Sequence, residues 1–358
     1  MKLVIFGLTI SSSWGNGHAT IWRGLCRAFV NRGHNIVFFE KDVPYYAAHR
    51  DLTEMRGVEL VLYKDWNDAS GKAELHLADA DAGLITSYCP DGIEATRLML
   101  SSRARLKAFY DLDTPVTLKL LRAGEKLTYI TENGLTDFDL VLSYTGGAIL
   151  TQLKEMLGAK EALPLYGSVD PDAHRPVAPI DAYRGDLSYL GTYAQDRQEK
   201  LKELFIEPSR RLADRRFMLG GSLYPQTFPW TESIFYFNHV PPPEHPSFYC
   251  SSLFTLNVTR GAMAEMGYCP SGRLFEAAAC GTPILSDFWE GLDNFFRPGS
   301  EIIIVRTSDD VVNALGMTEA ERRRLSRAAR ERALEEHSSE KRAIELENIL
   351  ERAAGVKT

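Results

Sequence analysis

The segment Pro270–Asp287 (PSGRLFEAAACGTPILSD) places two charged side chains, Arg273 and Glu276, in a run that is otherwise small and apolar. The stretch Pro270–Cys280 favours a short helix that Gly281 would end, and residues three apart on a helix share a face. Such a pair can be a surface ion pair, worth roughly 0–1 kcal/mol, or a buried structural pair. Both structural interpretations are open on these residues alone.

The same two charges could instead bind a nucleoside diphosphate. A helix start supplies free N–H groups and a positive dipole end, which suit phosphate groups, and Ser271 is a candidate N-cap. Arg273 would add a bidentate phosphate donor, while the two carboxylate oxygens of Glu276 could accept from the vicinal hydroxyl groups of a ribose. Together these parts describe a site for a nucleoside diphosphate.

A second polar, glycine-containing segment is the loop Thr9–Ala19 (TISSSWGNGHA). Gly15 and Gly17 match the first two glycines of a dinucleotide-binding fingerprint, but Thr20 stands where the third glycine is required, and the loop is long. If this segment nevertheless bound NAD, Glu40 at the end of the second predicted strand would accept the ribose hydroxyl groups.

Two aspartates, Asp111 and Asp113, follow an apolar strand in the stretch FYDLDTP. An Asp-x-Asp pair after a strand can hold a divalent metal on a nucleotide diphosphate. The same pattern recurs in ADADA and DPD, so its presence is weak evidence for a metal site. The five cysteines form no Cys-x-x-Cys pair, which argues against a zinc site and a disulfide framework. We therefore expect no bound metal.

These segments lie between alternating strands and helices. Lys2–Leu8 predicts a buried parallel strand, a helix with apolar spacing follows it as far as Gly33, and NIVFFEK predicts a second strand. This β-α-β unit is the start of a doubly wound sheet. Further strands are predicted in the first half of the chain at Val58–Tyr63, Ala82–Thr86, Leu106–Asp111 and Leu140–Ser143.

A proline-rich segment, Leu163–Asp186, is typical of an interdomain connector, and the strand-and-helix pattern restarts after it. The second half contains the predicted strands LSYLGTY, RFMLGGSL, LFTLNVTR and EIIIVRT and a predicted helix over Gln195–Leu212. The charged tail Thr318–Ala354 predicts a solvated helix that packs one apolar stripe. We expect three parts: an N-terminal domain 1–168, a C-terminal domain 169–335 and a terminal helix 336–358 that packs back on the N-terminal domain.

Composition excludes several classes of function. The 358 residues include 41 basic and 48 acidic side chains, a net charge of −7 that argues against a general nucleic-acid-binding surface. No run of 18 apolar residues exists, so we expect no membrane span. The first apolar run is too short for a signal peptide and the cysteines are scattered, so we expect a cytoplasmic location.

The stretch RLFEAAACGTPILSD, followed by WEGLDNFF, resembles the donor-binding region of the CgeB-like (spore maturation protein B-like) glycosyltransferases. Blocks across most of the chain are similar to the same group: SWGNGHAT, RGHNIVFFEKDVPYYAAHRDL, FYDLDTPVTL, LSYTGGAIL, YLGTYAQDRQ and LNVTRGAM. The resemblance implies the GT-B fold, two facing Rossmann-like domains with a nucleotide-sugar site in the cleft. It also implies a bacterial, hexosyltransferase-type enzyme without a cofactor or an obligatory metal.

Carried over position by position, the resemblance implies that Glu276 holds the donor ribose. Arg273 and the N–H groups near Ser271 and Gly272 would face the diphosphate. Arg197, shortly after the strand YLGTY, matches a region where related enzymes place a phosphate-binding base, although it could equally be an exposed helix arginine.

The loop after the next strand would lie near the transferred sugar, with Asp287 and Glu290 as acceptors for its hydroxyl groups. Related retaining transferases often carry a second glutamate eight residues before the ribose-binding one, and that position here is Tyr268. The resemblance therefore does not decide between inversion and retention at the transferred carbon.

In a two-domain transferase the loop TISSSWGNGHA would face the cleft, where Gly15 and Gly17 let the backbone approach the acceptor or the donor phosphate. His18 could then act as a general base or donate to a phosphate, or it could be structural. Asp113 is the alternative base, at the floor of the cleft. A metal role for Asp113 fits less well because the nucleotide motif lies near residue 276.

The predicted function is the transfer of a sugar from a nucleoside-diphosphate-sugar donor to an unidentified hydroxyl-bearing acceptor. A catalytically silent nucleotide-sugar-binding protein is one alternative, and it would bind the donor without turnover. An NAD-dependent oxidoreductase is the other, and it would bind a nicotinamide cofactor within residues 1–165.

Overall fold

The computed structural model describes residues 1–355. The chain divides into two compact units, which we call unit 1 (residues 1–167 together with the residues from 339 onward) and unit 2 (residues 168–338). Each unit contains one parallel sheet whose strands alternate with helices along the chain. The predicted α/β class with two doubly wound sheets is confirmed.

The sheet of unit 1 has seven strands in the order β3-β2-β1-β4-β5-β6-β7, and every neighbouring pair is parallel. Because the order reverses between β1 and β4, the carboxyl ends of these two strands border a crevice of the kind that binds ligands in doubly wound folds. The strands are β1 Lys2–Gly7, β2 Asn35–Lys41, β3 Val58–Tyr63, β4 Ala82–Thr86, β5 Leu106–Asp111, β6 Leu140–Ser143 and β7 Ala162–Pro164.

The sheet of unit 2 has six parallel strands in the order β10-β9-β8-β11-β12-β13. Its order reverses between β8 and β11, which places the corresponding crevice at the carboxyl ends of those strands. The strands are β8 Gly185–Leu190, β9 Phe217–Gly220, β10 Ile234–Phe237, β11 Ser252–Asn257, β12 Ile284–Ser286 and β13 Ile303–Ile304.

The helices connect these strands. In the first half of the chain they are α1 Gly17–Asn31, α2 Pro44–Ala47, α3 Trp66–Leu77, α4 Gly92–Ser101, α5 Thr114–Arg122 and α6 Ile149–Leu157. In the second half they are α7 Gln198–Leu201, α8 Glu207–Arg211, α9 His245–Cys250, α10 Gly261–Met266, α11 Gly272–Ala279, α12 Ser308–Leu315, α13 Glu319–Glu336 and α14 Ser339–Ala353. Within unit 1, α14 packs on α1, where Glu347 pairs with Arg32.

The central strands are mainly apolar, as expected for parallel strands whose sheet is covered by helices on both faces. All side chains of β4 are buried, as are those of β6 and β9. Each unit has a core of its own, with Phe6, Phe39 and Phe109 in unit 1 and Phe205 and Phe254 in unit 2.

The predicted helix over Gln195–Leu212 is interrupted in the structure. Lys202–Ile206 form a π-helical turn between α7 and α8. The interruption lies beside Pro208, which has no backbone N–H to continue an α-helical ladder.

The tail is two helices rather than the one predicted. The chain leaves the helical path at His337 and Ser338, between α13 and α14. There the Val169 N–H donates to the His337 carbonyl at 3.0 Å, an acceptor that a continuous helix would have used internally. Of the helices in residues 1–355, none combines the length and the apolar character that a membrane span requires.

Candidate active site

Arg273 lies where the strand order of unit 2 reverses. Its Nε donates to the carbonyl of Leu190 at the end of β8, and its Nη1 donates to Asn257 Oδ1 at the end of β11, 2.9 Å away. The guanidinium also lies over the Tyr189 ring, 5.1 Å from its centroid. These contacts fix the cation in the crevice, and its Nη2 makes no hydrogen bond to a described residue.

The start of α11 is open beside Arg273. Ser271 occupies the N-cap position, but its side chain makes no capping hydrogen bond. A Cβ atom added to Gly272 would meet no atom within 4 Å. In this first turn the Leu274 N–H donates to the Ser271 carbonyl at 3.0 Å, which leaves the N–H groups of Gly272 and Arg273 to receive an anion. At the other end of the helix, Gly281 has φ +75°, the left-handed conformation predicted for it.

Glu276 faces a different set of partners. The Tyr249 hydroxyl donates to Glu276 Oε2 at 3.1 Å, and the rings of His174 and His245 lie on either side of the carboxylate. Burial by itself would raise the pKa of Glu276, but these histidines, the Tyr249 hydroxyl and Arg273 hold it below its ordinary value. The carboxyl group is therefore ionised at neutral pH.

Among the described residues, no ion pair joins Arg273 to Glu276. Arg273 is oriented by strand ends, and Glu276 by a hydroxyl and two imidazoles. Both ion-pair interpretations of the sequence are therefore wrong. The two charges are held separately, one turn of α11 apart.

Two glycines, Gly191 and Gly221, leave room for the Arg273 side chain where two loops approach each other closely. A Cβ atom at Gly191, just after β8, would lie 2.7 Å from Arg273 Nη2. At Gly221, after β9, a Cβ atom would lie 2.1 Å from the Gly191 carbonyl oxygen. Residues larger than glycine at these positions would displace either the guanidinium or the loop.

Arg197 is buried rather than exposed, with 9% of its surface accessible. Its Nη2 donates to the Thr192 carbonyl, and its buried Nε has no hydrogen-bond partner among residues 1–355. A buried guanidinium N–H without an acceptor is costly, and a bound anion would satisfy it.

Asp287 and Glu290 have different surroundings. Asp287 is 3% exposed. Its carboxylate accepts from the Thr259 N–H and hydroxyl at 3.0 and 2.9 Å and from Lys200 Nζ at 2.6 Å. Glu290 is exposed, and its backbone carbonyl accepts from the Tyr268 N–H at 2.6 Å. Tyr268 has φ +47°, a strained conformation of the kind that clusters in functional loops.

In unit 1, the structure brings His18 and Asp113 together. His18 Nε2 lies 3.4 Å from Asp113 Oδ2, and the two side chains are 16% and 17% exposed. His18 belongs to the first turn of α1, which starts at Gly17 because the Asn16 side chain accepts from the His18 N–H. Gly15 has φ +60° in the turn just before that cap.

The two aspartates of the Asp-x-Asp pair have different partners. Asp111 accepts hydrogen bonds at the start of α5, and Asp113 lies beside His18. Asp111 is fully buried, and its Oδ1 accepts from the Asp113 N–H at 3.0 Å and the Thr117 hydroxyl at 3.1 Å. Burial raises the pKa of Asp111 to about 6. Asp113 stands at the N-cap of α5 without a side-chain capping bond, which leaves its carboxylate for His18.

Several residues around both charged sites were not predicted from the sequence. Tyr88, with φ +64°, follows β4, and its ring centroid lies 5.8 Å from that of His18. Asn257, Tyr249, His174 and His245 contact the charged groups of unit 2 from distant positions in the chain. The polar residue Asn257 at the end of an apolar strand was the one signal available.

Glu40, the ribose acceptor of the NAD alternative, is fully buried and already saturated. It accepts from the Thr9 and Ser11 hydroxyls and from the Ile10 and Ser11 N–H groups, all within 3.0 Å. A carboxylate has about four acceptor positions, so none is left for a ribose. Glu40 instead shapes the loop that leads to His18, which argues against the oxidoreductase.

A family model described as glycosyl transferase-like matches residues 197–348, less than half of the chain. This segment contains Arg197, Arg273, Glu276 and Asp287. No curated protein sequence matches the chain.

Solved structures match the chain over nearly its whole length. A sucrose-phosphate synthase from Thermosynechococcus elongatus has a TM-score of 0.74 at 14% identity, covering 99% of this chain and 100% of its own. Anabaena HepE in complex with UDP and glucose has a TM-score of 0.68 at 11% identity, covering 98% and 100%.

An alpha-glucosyltransferase in complex with UDP-glucose and DNA containing an abasic site has a TM-score of 0.69 at 14% identity, covering 98% of this chain and 99% of its own. At such low identity these likenesses establish the fold alone. The chain has the GT-B fold of glycosyltransferases, and residues 197–348 match their glycosyl transferase-like family model.

Proposed function

We propose that this protein is a glycosyltransferase that moves a sugar from a nucleoside-diphosphate donor to a hydroxyl-bearing acceptor. The observation that carries the proposal is the position of Arg273, fixed across the ends of β8 and β11 beside the open start of α11. The family match to residues 197–348 and the GT-B fold support the same reaction class.

Unit 2 would bind the donor. The N–H groups at the start of α11, Arg273 and the unpartnered Nε of Arg197 would hold the diphosphate, and Glu276 would accept from the ribose hydroxyl groups. As the bond between the sugar and the diphosphate breaks, negative charge grows on the leaving group. The two guanidinium groups and the helix end would stabilise that charge without an obligatory metal.

Unit 1 would supply the base. His18 takes the proton of the acceptor hydroxyl on Nδ1, the buried nitrogen that has no hydrogen-bond partner among residues 1–355, while the acceptor oxygen forms its bond to the sugar. Asp113, 3.4 Å from His18 Nε2, stabilises the imidazolium that results. The proposal thus assigns the donor to unit 2 and the proton transfer to unit 1.

Uridine diphosphate is the first nucleotide to test, because HepE and the alpha-glucosyltransferase hold UDP or UDP-glucose in their structures. A thermal-shift panel of UDP-, GDP-, ADP- and dTDP-sugars, with and without magnesium, would identify the donor and test whether a metal is needed. We also place the enzyme among the CgeB-like, hexosyltransferase-type enzymes of the bacterial cytoplasm.

The Glu276→Ala variant tests the donor site. Losing a charged acceptor for two hydroxyl groups should weaken nucleotide binding by roughly 10²–10⁴-fold, since each of the two hydrogen bonds to a charged group contributes about 1.5–3 kcal/mol. Isothermal calorimetry with the nucleotide found in the panel measures this, with Glu335→Ala, an exposed glutamate of α13 in the same unit, as the matched control.

Unchanged affinity in Glu276→Ala would remove the ribose assignment. Binding of a nucleotide sugar by the wild-type protein, with neither sugar transfer nor donor hydrolysis, would support the catalytically silent alternative.

A further inference from the structure

Three side chains of unit 2, all of types that can bind a metal ion, lie close together. They are His174, which precedes β8, His245 at the start of α9, and Glu276 in α11. His174 Nε2 lies 4.0 Å from Glu276 Oε1, and His245 Nδ1 lies 4.0 Å from Glu276 Oε2. One ligand atom from each residue falls within 4.8 Å of the others.

The tautomer of His245 is set by the backbone. His245 Nε2 lies 3.1 Å from the Val240 carbonyl, which can only accept, so Nε2 carries the proton. The lone pair of Nδ1 therefore faces the Glu276 carboxylate. An imidazole whose second nitrogen donates to a carbonyl is the usual arrangement of a metal-binding histidine.

His174 adds a second unsatisfied acceptor. Its ring is 5% exposed, and neither of its nitrogens makes a hydrogen bond with any residue from 1 to 355. Burial favours the neutral ring, which is the form in which imidazole binds metal ions.

Lone pairs that face a buried carboxylate repel it unless a positive charge or a hydrogen-bond donor lies between them. The Tyr249 hydroxyl supplies a single donor, to Oε2. A cation bound by both nitrogens and one carboxylate oxygen would satisfy all three residues at once.

We propose that His174, His245 and Glu276 bind a divalent transition-metal cation of the zinc type. Two imidazole nitrogens and one carboxylate oxygen form a set that zinc accepts, with one position left for water, whereas magnesium prefers oxygen ligands. Metal–ligand distances of about 2.0–2.2 Å require the three side chains to move closer together than they stand here. The metal lies at the ribose carboxylate and takes no part in the transfer step.

The metal and the donor exclude each other, and this second part rests on the proposed function. The carboxylate that binds the metal is the one assigned to the ribose hydroxyl groups. Zinc should therefore act as a competitive inhibitor toward the nucleotide, with the apparent nucleotide affinity falling as the zinc concentration rises.

The test uses the full chain, treated with a chelator and dialysed. Titration with Zn²⁺ alone, followed with a competing chromophoric indicator, should show one site per chain. His174→Gln and His245→Gln should each weaken zinc affinity by more than the roughly 10–100-fold cost of removing a residue that only hydrogen-bonds to a metal ligand. His76→Gln is the matched control, because His76 also lies beside a glutamate, Glu59, at 3.5 Å, and should leave zinc affinity unchanged.

A measurement on the wild-type protein tests the metal site even if the variants fail to fold. X-ray absorption at the zinc edge should show two imidazoles and one or two oxygen ligands. Less than one site per chain, a spectrum without imidazoles, or equal zinc affinity in folded His245→Gln would overturn the metal site.

Calorimetry with UDP, with and without saturating zinc, separates this inference from the proposed function. A fall in UDP affinity with zinc supports competition, and an unchanged UDP affinity overturns it. If UDP and the other nucleotides of the panel do not bind even without zinc, the proposed function fails, while the metal site is still decided by the zinc titration.

Discussion

His18 and Asp113 are the residues whose substitution should lower the rate of turnover. His18→Ala and Asp113→Asn should each lower kcat by roughly 10²–10⁴-fold, the usual contribution of general acid–base catalysis. The dissociation constant of the nucleotide, measured by calorimetry, should stay unchanged because the donor contacts are assigned to unit 2. His49→Ala, an exposed histidine of the same unit, is the control. Lower donor affinity at unchanged kcat would assign His18 to the donor rather than to the proton.

Asp111 should make stability depend on pH. Its pKa is raised by burial from 3.8 to about 6, so the folded state holds the proton more tightly than the unfolded state. The free energy of unfolding should therefore fall as the pH rises between about 4 and about 6, by up to about 3 kcal/mol for this group.

Chemical denaturation of the wild-type protein and of Asp111→Asn across this range measures the effect. The difference between their unfolding free energies should change by about this amount in favour of the variant as the pH rises. A difference that stays constant with pH would contradict the buried, raised pKa.

At the same scale, the sequence indicated phosphate binding for Arg273 and ribose binding for Glu276, and these roles stay predictions. It gave no indication of the groups that contact the two side chains. The groups that orient them, Asn257, Tyr249 and the Leu190 carbonyl, come from strands and helices distant in sequence. No local pattern encodes such contacts, because they depend on how the sheet orders its strands.

At the scale of elements, the close approach of the β8 and β9 loops makes Gly191 a test of the crevice. In Gly191→Ala the new Cβ atom would meet Arg273 Nη2 at 2.7 Å and the hydroxyl oxygen of the buried Tyr189 at 3.0 Å, so the guanidinium would be pushed out of its hydrogen bonds. Nucleotide affinity should fall about tenfold, which corresponds to about 1.4 kcal/mol, and the unfolding free energy should fall by about 1–3 kcal/mol, the usual cost of overpacking.

Gly71→Ala in α3 is the matched control. A Cβ atom there meets no atom within 4 Å, and Gly71 lies inside a helix. The variant should be more stable by about 0.5–1 kcal/mol, with unchanged nucleotide affinity. Equal nucleotide affinity in Gly191→Ala would show that the Arg273 position does not matter for the donor.

Long apolar strands were the elements that the sequence predicted well. Val58–Tyr63, Ala82–Thr86, Leu106–Asp111 and Leu140–Ser143 have the predicted bounds. Strands at the edges of the second sheet were predicted less accurately. Of the predicted strand EIIIVRT only Ile303–Ile304 is a strand, and the edge strand β10 was not predicted. Short edge strands bury little apolar surface and leave a weak pattern.

At the scale of the whole molecule, hydrogen–deuterium exchange of the full chain distinguishes the transferase from the oxidoreductase. A bound nucleoside diphosphate should slow exchange in unit 2, at the end of β8 and the start of α11, because the ligand accepts from these N–H groups. Nicotinamide dinucleotide should change nothing. Protection of the β1–α1 loop by the nicotinamide cofactor would instead support the oxidoreductase.

The sequence by itself determined the fold class and predicted the types of charged residue that would bind a donor. Buried parallel strands need continuous apolar runs, and a phosphate-binding helix start needs small residues and an arginine, so both leave local patterns. Only the tertiary structure decided that Arg273 and Glu276 are held separately, that His18 lies beside Asp113 and that two distant histidines surround Glu276. These contacts join residues far apart in the chain, and they exist because the order of strands in each sheet brings particular strand ends together.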